Sequence, residues 1–189
     1  MAKKQINPGP FILPMPLALI GANVEGKANF MPAAFLGIAD FKPPKIACGL
    51  NAAHRTCKGI EATQTFSVNL PSVDQVEIAD YCGLVSGGQV DKSALFPVAY
   101  GELATAPMIE SCALSAECKL LQSIPMGVDK LYLGEIVSVF VDESCLNDGQ
   151  PDWKRINPLL FTFPDKGYWS LGDFVARAWS VGKGYKEKG

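Results

Sequence analysis

The chain has a single histidine, His54, and it sits in the densest run of phosphate-suited side chains: His54-Arg55-Thr56-Cys57-Lys58. Two cations, a hydroxyl and an imidazole lie just ahead of a helix-forming stretch. A helix starting near Thr56 presents free N–H groups and partial positive charge at that end. Arg55, Lys58, the Thr56 hydroxyl and His54 add the donors that a phosphate dianion takes. The same residues suit an N-capped surface helix with solvated basic side chains, so the run alone leaves both open. A second candidate is the glycine-rich loop Ser86-Gly87-Gly88-Gln89-Val90-Asp91-Lys92. Lys92 either reaches the same anion from another side or pairs with Asp91. A third is Asn29, just before Met31-Pro32-Ala33-Ala34. Small residues there let a flat ring lie close to the backbone, with main-chain N–H groups bonding its polar edge; they equally suit a strand packed on another. Tyr168 and Trp169 either cover an aromatic ligand or close a core.

Other chemistries lack their residues. Gly83-Leu-Val-Ser86-Gly87 is not the nucleophile elbow of a hydrolase, and a lone histidine gives little support to a Ser-His-Asp triad. The loop before Lys92 has Asp91 where a phosphate-binding P-loop has glycine. No G-x-G-x-x-G joins a strand to a helix, so a Rossmann dinucleotide site is not supported. The six cysteines, at 48, 57, 82, 112, 118 and 145, form no C-x-x-C pair. With one histidine they give no zinc or iron–sulfur set, and a core this large needs no disulfides, so reduced thiols and a cytoplasmic location are expected. Neither a catalytic side chain nor a metal site is assigned.

The elements that must position these groups are mostly strands. Leu17–Val24 and Lys27–Phe35 read as a hairpin around Glu25-Gly26. Phe41-Lys42-Pro43-Pro44 reads as a loop and Lys45–Leu50 as a strand. Thr56 is the expected N-cap of a helix over Cys57–Ala62. Thr65–Leu70 alternates and stops at Pro71. Asp74 is the expected cap of a helix over Gln75–Cys82, closed by Gly83. Ser111–Gln122 alternates as a half-exposed antiparallel strand, with Ser115, Glu117 and Lys119 on the outer face. Leu131–Val141 is apolar on nearly both faces, as expected of a central or interfacial strand. Asn147–Pro158 is turn-rich, Leu159–Phe163 a short strand, and Asp173–Val181 the expected closing helix. Long antiparallel strands without α/β alternation predict a mainly β fold with a few short helices.

Of 189 residues, 48% are apolar and 19% charged, with a net charge of −2. That fits one domain over 1–189 with an extended arm at 1–13 and a tail at 183–189. The charge gives no reason to expect nucleic acid or an anionic membrane as partner. The apolar run Phe11–Ala22 follows two lysines, but Pro14 and Pro16 interrupt it and it is too short to span a bilayer, so it reads as a strand. Surplus apolar surface is best explained by burial in an oligomer.

Five motifs in order carry a resemblance over roughly Pro14–Gly182. They are Gly26-x-x-Asn29-x-Met31 with Ala33-Ala34; Asn51-x-x-His54-x-Thr56-x-x-Gly59-Ile60; Phe66-Ser67-Val68-Asn69-x-Pro71; Tyr81-Cys82-Gly83-x-x-Ser86-Gly87-x-x-x-Asp91-Lys92; and Pro158-Leu-Leu with Tyr168-Trp169-x-x-Gly172. Together they resemble the flavin reductase-like family, with its FMN-binding split β-barrel of antiparallel, Greek-key-like strands, and are most similar to its flavoredoxin and NAD(P)H:FMN oxidoreductase branch. The resemblance implies a homodimer with noncovalent FMN in a groove near the subunit interface. Asn29, Met31, Pro32, Ala33 and Ala34, with Leu50 and Asn51, would line the ring and ribityl chain. His54, Thr56, Ser86, Gly87, Asp91 and Lys92 would lie at the phosphate, Asn69 would support that loop, and Trp169 would cover the ligand. Electrons would come from NADH or NADPH, or from a redox protein partner. One departure is plain: Gly172-Asp173 is followed by Phe174, where free-flavin reductases often carry a nicotinamide-associated histidine.

Overall fold

The computed structural model describes residues 2–185. In chain order its elements are β1 (Met15–Pro16), β2 (Ala18–Val24), β3 (Lys27–Ala33), β4 (Leu36–Phe41), β5 (Pro44–Asn51), α1 (Arg55–Thr63), β6 (Thr65–Leu70) and α2 (Val76–Leu84). Then follow β7 (Val98–Ala99), β8 (Met108–Ile109), β9 (Leu114–Pro125), β10 (Asp129–Val141), β11 (Leu146–Asn147), β12 (Gln150–Pro151), α3 (Trp153–Ile156), β13 (Leu160–Phe161) and β14 (Tyr168–Trp169). Seven strands make one antiparallel sheet in the order β3-β2-β6-β9-β10-β5-β4. The sheet curls so that β3 approaches β5, yet β3 and β4 remain its unjoined ends. This is the split barrel, and the split lies beside Met31–Phe35.

Two apolar cores share β2 and β3. Ala18, Ile20 and Met31 face the barrel interior with Cys48, Leu50, Phe66, Val68, Cys118 and Tyr132, closed at one end by Cys57 and Ile60 of α1. Leu17, Leu19 and Phe30 face outward into a second core with Ala79, Cys82, Phe96, Ile109 and Leu159. Alternate residues of β2 thus feed different cores, which is why that strand is apolar from Ala18 to Ala22. Gly59 lets α1 sit directly on β2, since a Cβ there would meet the Asn23 carbonyl and the Val24 side chain.

Several local expectations change. The N-cap of α1 is His54, not Thr56, and its imidazole makes no capping hydrogen bond; the helix starts earlier and frees the Thr56 hydroxyl for another role. The second helix is entered through a 3-10 turn, Val73–Gln75. There Ser72 and Gln75 form a reciprocal capping box, so Asp74 is not the cap, and Gly83 lies inside α2 rather than after it. Leu36–Phe41 is a strand, the outer partner of β5, with the expected proline loop reduced to its turn. The alternation in β9 is real, and Lys119 on its polar face is exposed as expected, but Ser115 and Glu117 on the same face are buried. Loop 101–103 lies over that face, and the Glu117 carboxylate accepts backbone N–H groups from Gly101, Glu102 and Leu103 at 3.0, 2.8 and 3.1 Å. The expected helix over 173–181 does not form: 173–177 have no regular secondary structure, 178–180 make a turn, and a 3-10 turn follows at Val181–Gly184. Of the expected tail, 186–189 lie outside the described residues. Among the described residues, no helix is long and apolar enough to cross a membrane.

Candidate functional site

Strand β5 ends at Asn51, and the turn that follows is built on this residue. Its side-chain oxygen accepts the Ala53 N–H at 3.0 Å, and its carbonyl accepts the His54 N–H at 3.1 Å and the Cys57 thiol at 3.3 Å. The turn aims the start of α1 at Asn29 on β3. The Asn29 amide donates to the Thr56 hydroxyl oxygen at 2.7 Å, with both side chains buried. Because that oxygen is the acceptor, the hydroxyl proton is left to point elsewhere.

Loop 86–91 closes the other side. Ser86 holds it in a tight turn through bonds from Gln89 and Val90 to its carbonyl and from Gly88 to its hydroxyl. Gly87 lies against Asn29 so closely that a Cβ there would collide with the amide oxygen. Lys92 anchors the loop's end. It is buried, and its ammonium donates to the carbonyls of Cys82 at 2.6 Å and Phe30 at 3.1 Å. Burial lowers its pKa from the usual lysine value. Asp91 does not pair with it; this carboxylate takes the Ser93 hydroxyl and N–H and the Lys27 ammonium, which hold its pKa below the usual range.

The result is a cavity of about 480 Å³ between α1, β3 and the loop, lined by Asn29, Met31, His54, Arg55, Thr56, Lys58, Ser86, Gly87 and Lys92 among others. Arg55 pairs with Glu25 at 2.6 Å on the side of a neighbouring groove. Lys58 forms no ion pair among the described residues. A second cavity, of about 280 Å³, lies at the barrel split. Met31–Phe35 from the end of β3, Gly49–Asn51 from the end of β5, His54, Asp129, Phe161 and Phe163 line it. The Gly49 N–H to Phe35 carbonyl bond, 2.7 Å, holds its two walls together. Met31 and His54 line both cavities, so the two adjoin: a donor-rich pocket at α1 and an apolar slot at the split.

The structure therefore brings together Asn29, Met31, Pro32, Ala33, Ala34, Leu50, Asn51, His54, Thr56, Ser86, Gly87 and Lys92. Asp91 lines a neighbouring groove of about 350 Å³ on the far side of Arg55. Asn69 is elsewhere: it is buried between strands, joined to the Leu19 carbonyl, Ser67, Ser115 and the Ile109 N–H. Trp169 lines none of these cavities and donates to the Thr162 hydroxyl at 2.8 Å. The aromatic residues at the slot are instead Phe35, Phe161 and Phe163, and Asp129 joins them from β10. Phe161 ends β13 and Phe163 lies in the turn that follows; only the long-range pairing of β13 with β1 puts them there.

All six cysteines are unpaired and buried. Desolvation raises the thiol pKa of Cys48 and Cys112 to about 12 and pushes Cys57, Cys82 and Cys118 upward as well. Among the described residues no cluster of three or more His, Cys, Asp or Glu side chains could hold a metal. Tyr132 donates to Glu61, and Lys130 pairs with the same carboxylate at 2.7 Å. That pair ties α1 to β10 behind the groove.

Comparison with known proteins agrees with this architecture. The flavin reductase like domain matches residues 11–169. A flavoredoxin from Methanosarcina acetivorans is 45% identical and superposes with a TM-score of 0.94 over 97% of this chain and 98% of that one. The flavoredoxin of Desulfovibrio vulgaris (Miyazaki F) is 35% identical, with a TM-score of 0.90 over 96% and 100% of the two chains. The protein YddH of Escherichia coli K12 is 31% identical over 140 residues, 70% of this chain and 74% of that one. A split barrel with its groove at the β3–β5 opening, matched over most of its length, places this chain in the flavin reductase-like family.

Proposed function

We propose that the whole chain acts as one FMN-binding oxidoreductase unit, moving electrons from a reduced nicotinamide to flavin or onward to an acceptor. The observation that carries this is the pair of adjoining cavities, an apolar slot at the split and a donor-rich pocket at the start of α1. A flat tricyclic ring with a phosphate tail matches both, and a phosphate ester without a ring would leave the slot unexplained. Thr56, Arg55, Lys58 and the 86–88 loop would hold the phosphate. Met31–Ala34, Leu50 and Asn51 would take the ring and ribityl chain, and Lys92 would carry the buried positive charge behind the phosphate. The bound flavin supplies the redox chemistry through its ring, accepting a hydride or electrons. The chain's own part is to bind, orient and exclude water, because none of its buried thiols is exposed enough to relay electrons.

A second reading, an electron carrier with tightly held FMN reduced by a protein partner, is favoured by one observation. Gly172-Asp173-Phe174 brings no histidine near the slot, and His54, already at the junction of the two cavities, is the only one in the chain. Both readings include a homodimer in the cytoplasm, with the surplus apolar surface covered by the second copy. Anaerobic mixing with NADH and NADPH separates them. Loss of absorbance at roughly 450 nm within seconds supports the reductase. A bound flavin that neither nucleotide reduces supports the carrier.

A further inference from the structure

After β14 the chain leaves the body. Among the described residues, the hydrogen bonds from 171–185 to the rest of the chain all come from Lys154, which reaches the Gly172 carbonyl at 2.9 Å and the Asp173 carboxylate at 3.2 Å. Beyond that anchor come Phe174, Val175, Trp179, Val181 and Tyr185, and all are open. Val175 is 94% exposed and Trp179 95%. Trp179 also sits at φ 55°, a left-handed conformation that a bulky side chain keeps only where contacts hold it. A bond from the Val181 N–H to the Arg177 carbonyl, 3.1 Å, closes the backbone turn around it, while the indole itself is left in the open. At its base the arm stands off from the β11–β12 hairpin and α3, leaving a cleft of about 790 Å³ that Trp153, Leu171 and Phe174 help to line.

This is not the composition of a solvated tail, which is poor in aromatic and branched apolar residues. Nor does the arm wander. The superposition on the Methanosarcina flavoredoxin covers 97% of this chain, and the small unmatched remainder is too short to account for the arm. An arm that keeps its course without support from its own body is held by something outside it. Three charged side chains of both signs, Asp173, Arg177 and Lys183, spread along it do not make a basic face for a membrane or an acidic lure for a charged partner. A second copy fits best. It brings the same arm, and its body has apolar side chains left open: Ile38 and Phe41 on the edge strand β4, Met126 and Val128 at the β9–β10 turn. A two-fold pairing buries both arms reciprocally.

We propose that residues 171–185 form an exchange arm that crosses to a second copy of this chain and packs Phe174, Val175 and Trp179 on that copy's body. The inference rests on the homodimer reading above and names the element that holds it together. It is tested by sedimentation of the full-length protein and a Phe174→Ser/Trp179→Ser variant, with a photo-crosslinking amino acid at Val175 in a third sample. Both serines replace exposed residues, so the far-ultraviolet dichroism of the variant is expected to match the wild type. The expected result is a wild-type dimer, a variant dimer weakened on the order of 100-fold, and a crosslink that joins two chains. A wild-type dimer that survives the double substitution, with crosslinks confined to one chain, overturns the arm and leaves the dimer standing. A wild-type monomer at about 50 µM overturns both.

Discussion

The Asn29 amide donates to the Thr56 hydroxyl oxygen at 2.7 Å, joining the second strand of the first hairpin to the first turn of α1. The bond fixes the direction in which the Thr56 proton can be given, toward the pocket that Arg55, Lys58 and loop 86–88 also line. Thr56→Val keeps the shape and removes that donor. It is expected to weaken FMN binding by roughly tenfold to a hundredfold, read by fluorescence titration. Because the Asn29 amide also loses its buried acceptor, stability is expected to fall by about 1–3 kcal/mol in urea unfolding. Unchanged FMN affinity would place the phosphate elsewhere.

Gly87 is tested by addition rather than removal. In Gly87→Ala the new methyl group meets the Asn29 amide and pushes the loop away from it. Weaker FMN binding is expected with an unfolding midpoint close to that of the wild type, since loop 86–91 lies on the surface rather than in either core.

Lys92 sets a pH dependence. Its pKa is lowered from 10.5 by burial, so its charged form is disfavoured in the ligand-free protein, and this cost is present below the lowered pKa. The cost disappears as the pH rises through the interval up to 10.5. A phosphate in the adjoining pocket stabilises the charged form and raises that pKa. FMN affinity is therefore expected to fall as the pH climbs into the range where the free protein loses this proton. Lys92→Met is expected to bind more weakly and to lose that part of the pH profile. An identical profile in wild type and variant would remove Lys92 from the account.

Glu117 is a structural prediction independent of the flavin. Its buried carboxylate holds three backbone N–H groups of loop 101–103. Glu117→Ala leaves them without acceptors and opens a void, and is expected to cost about 3–5 kcal/mol in urea unfolding.

The cysteines are expected to be silent. All six are buried, and five have raised pKa values. A thiol reagent is expected to label none of them in the native protein within minutes and all six in denaturant, with any flavin reduction unaffected.

Much of the barrel was legible because its signals are local. The β2–β3 hairpin announces itself through Gly26, and the β9 alternation through the two-residue period of Leu114, Ala116, Cys118 and Leu120. What failed were inferences about which face meets water. Glu117 looked solvent-facing because nothing nearby says that loop 101–103 folds back over it. The 173–181 segment has a helix-like apolar spacing but no body of its own to lie on.

The site divides in the same way. Asn29, Thr56 and Ser86–Gly87 stand in short motifs whose residue types suit donors and close approach, and the structure gathers them into one pocket. Lys92 was visible as a cation, but not as a buried one bonded to two carbonyls from different elements. Asn69 was drawn into the site by its motif, although its four partners are strands and loops of the core. Phe161 and Phe163 could not be found locally, because only the closure of β13 onto β1 carries them to the split.

The central claim is that the adjoining cavities from Thr56 to the barrel split hold FMN. The most direct measurement is the absorption spectrum of the protein purified without added flavin, after gel filtration, followed by FMN titration of whatever fraction is colourless. A flavin band at roughly 450 nm that travels with the protein, or saturable uptake of one FMN per chain, is the predicted result. A colourless protein that takes up no FMN at any concentration tested would contradict it.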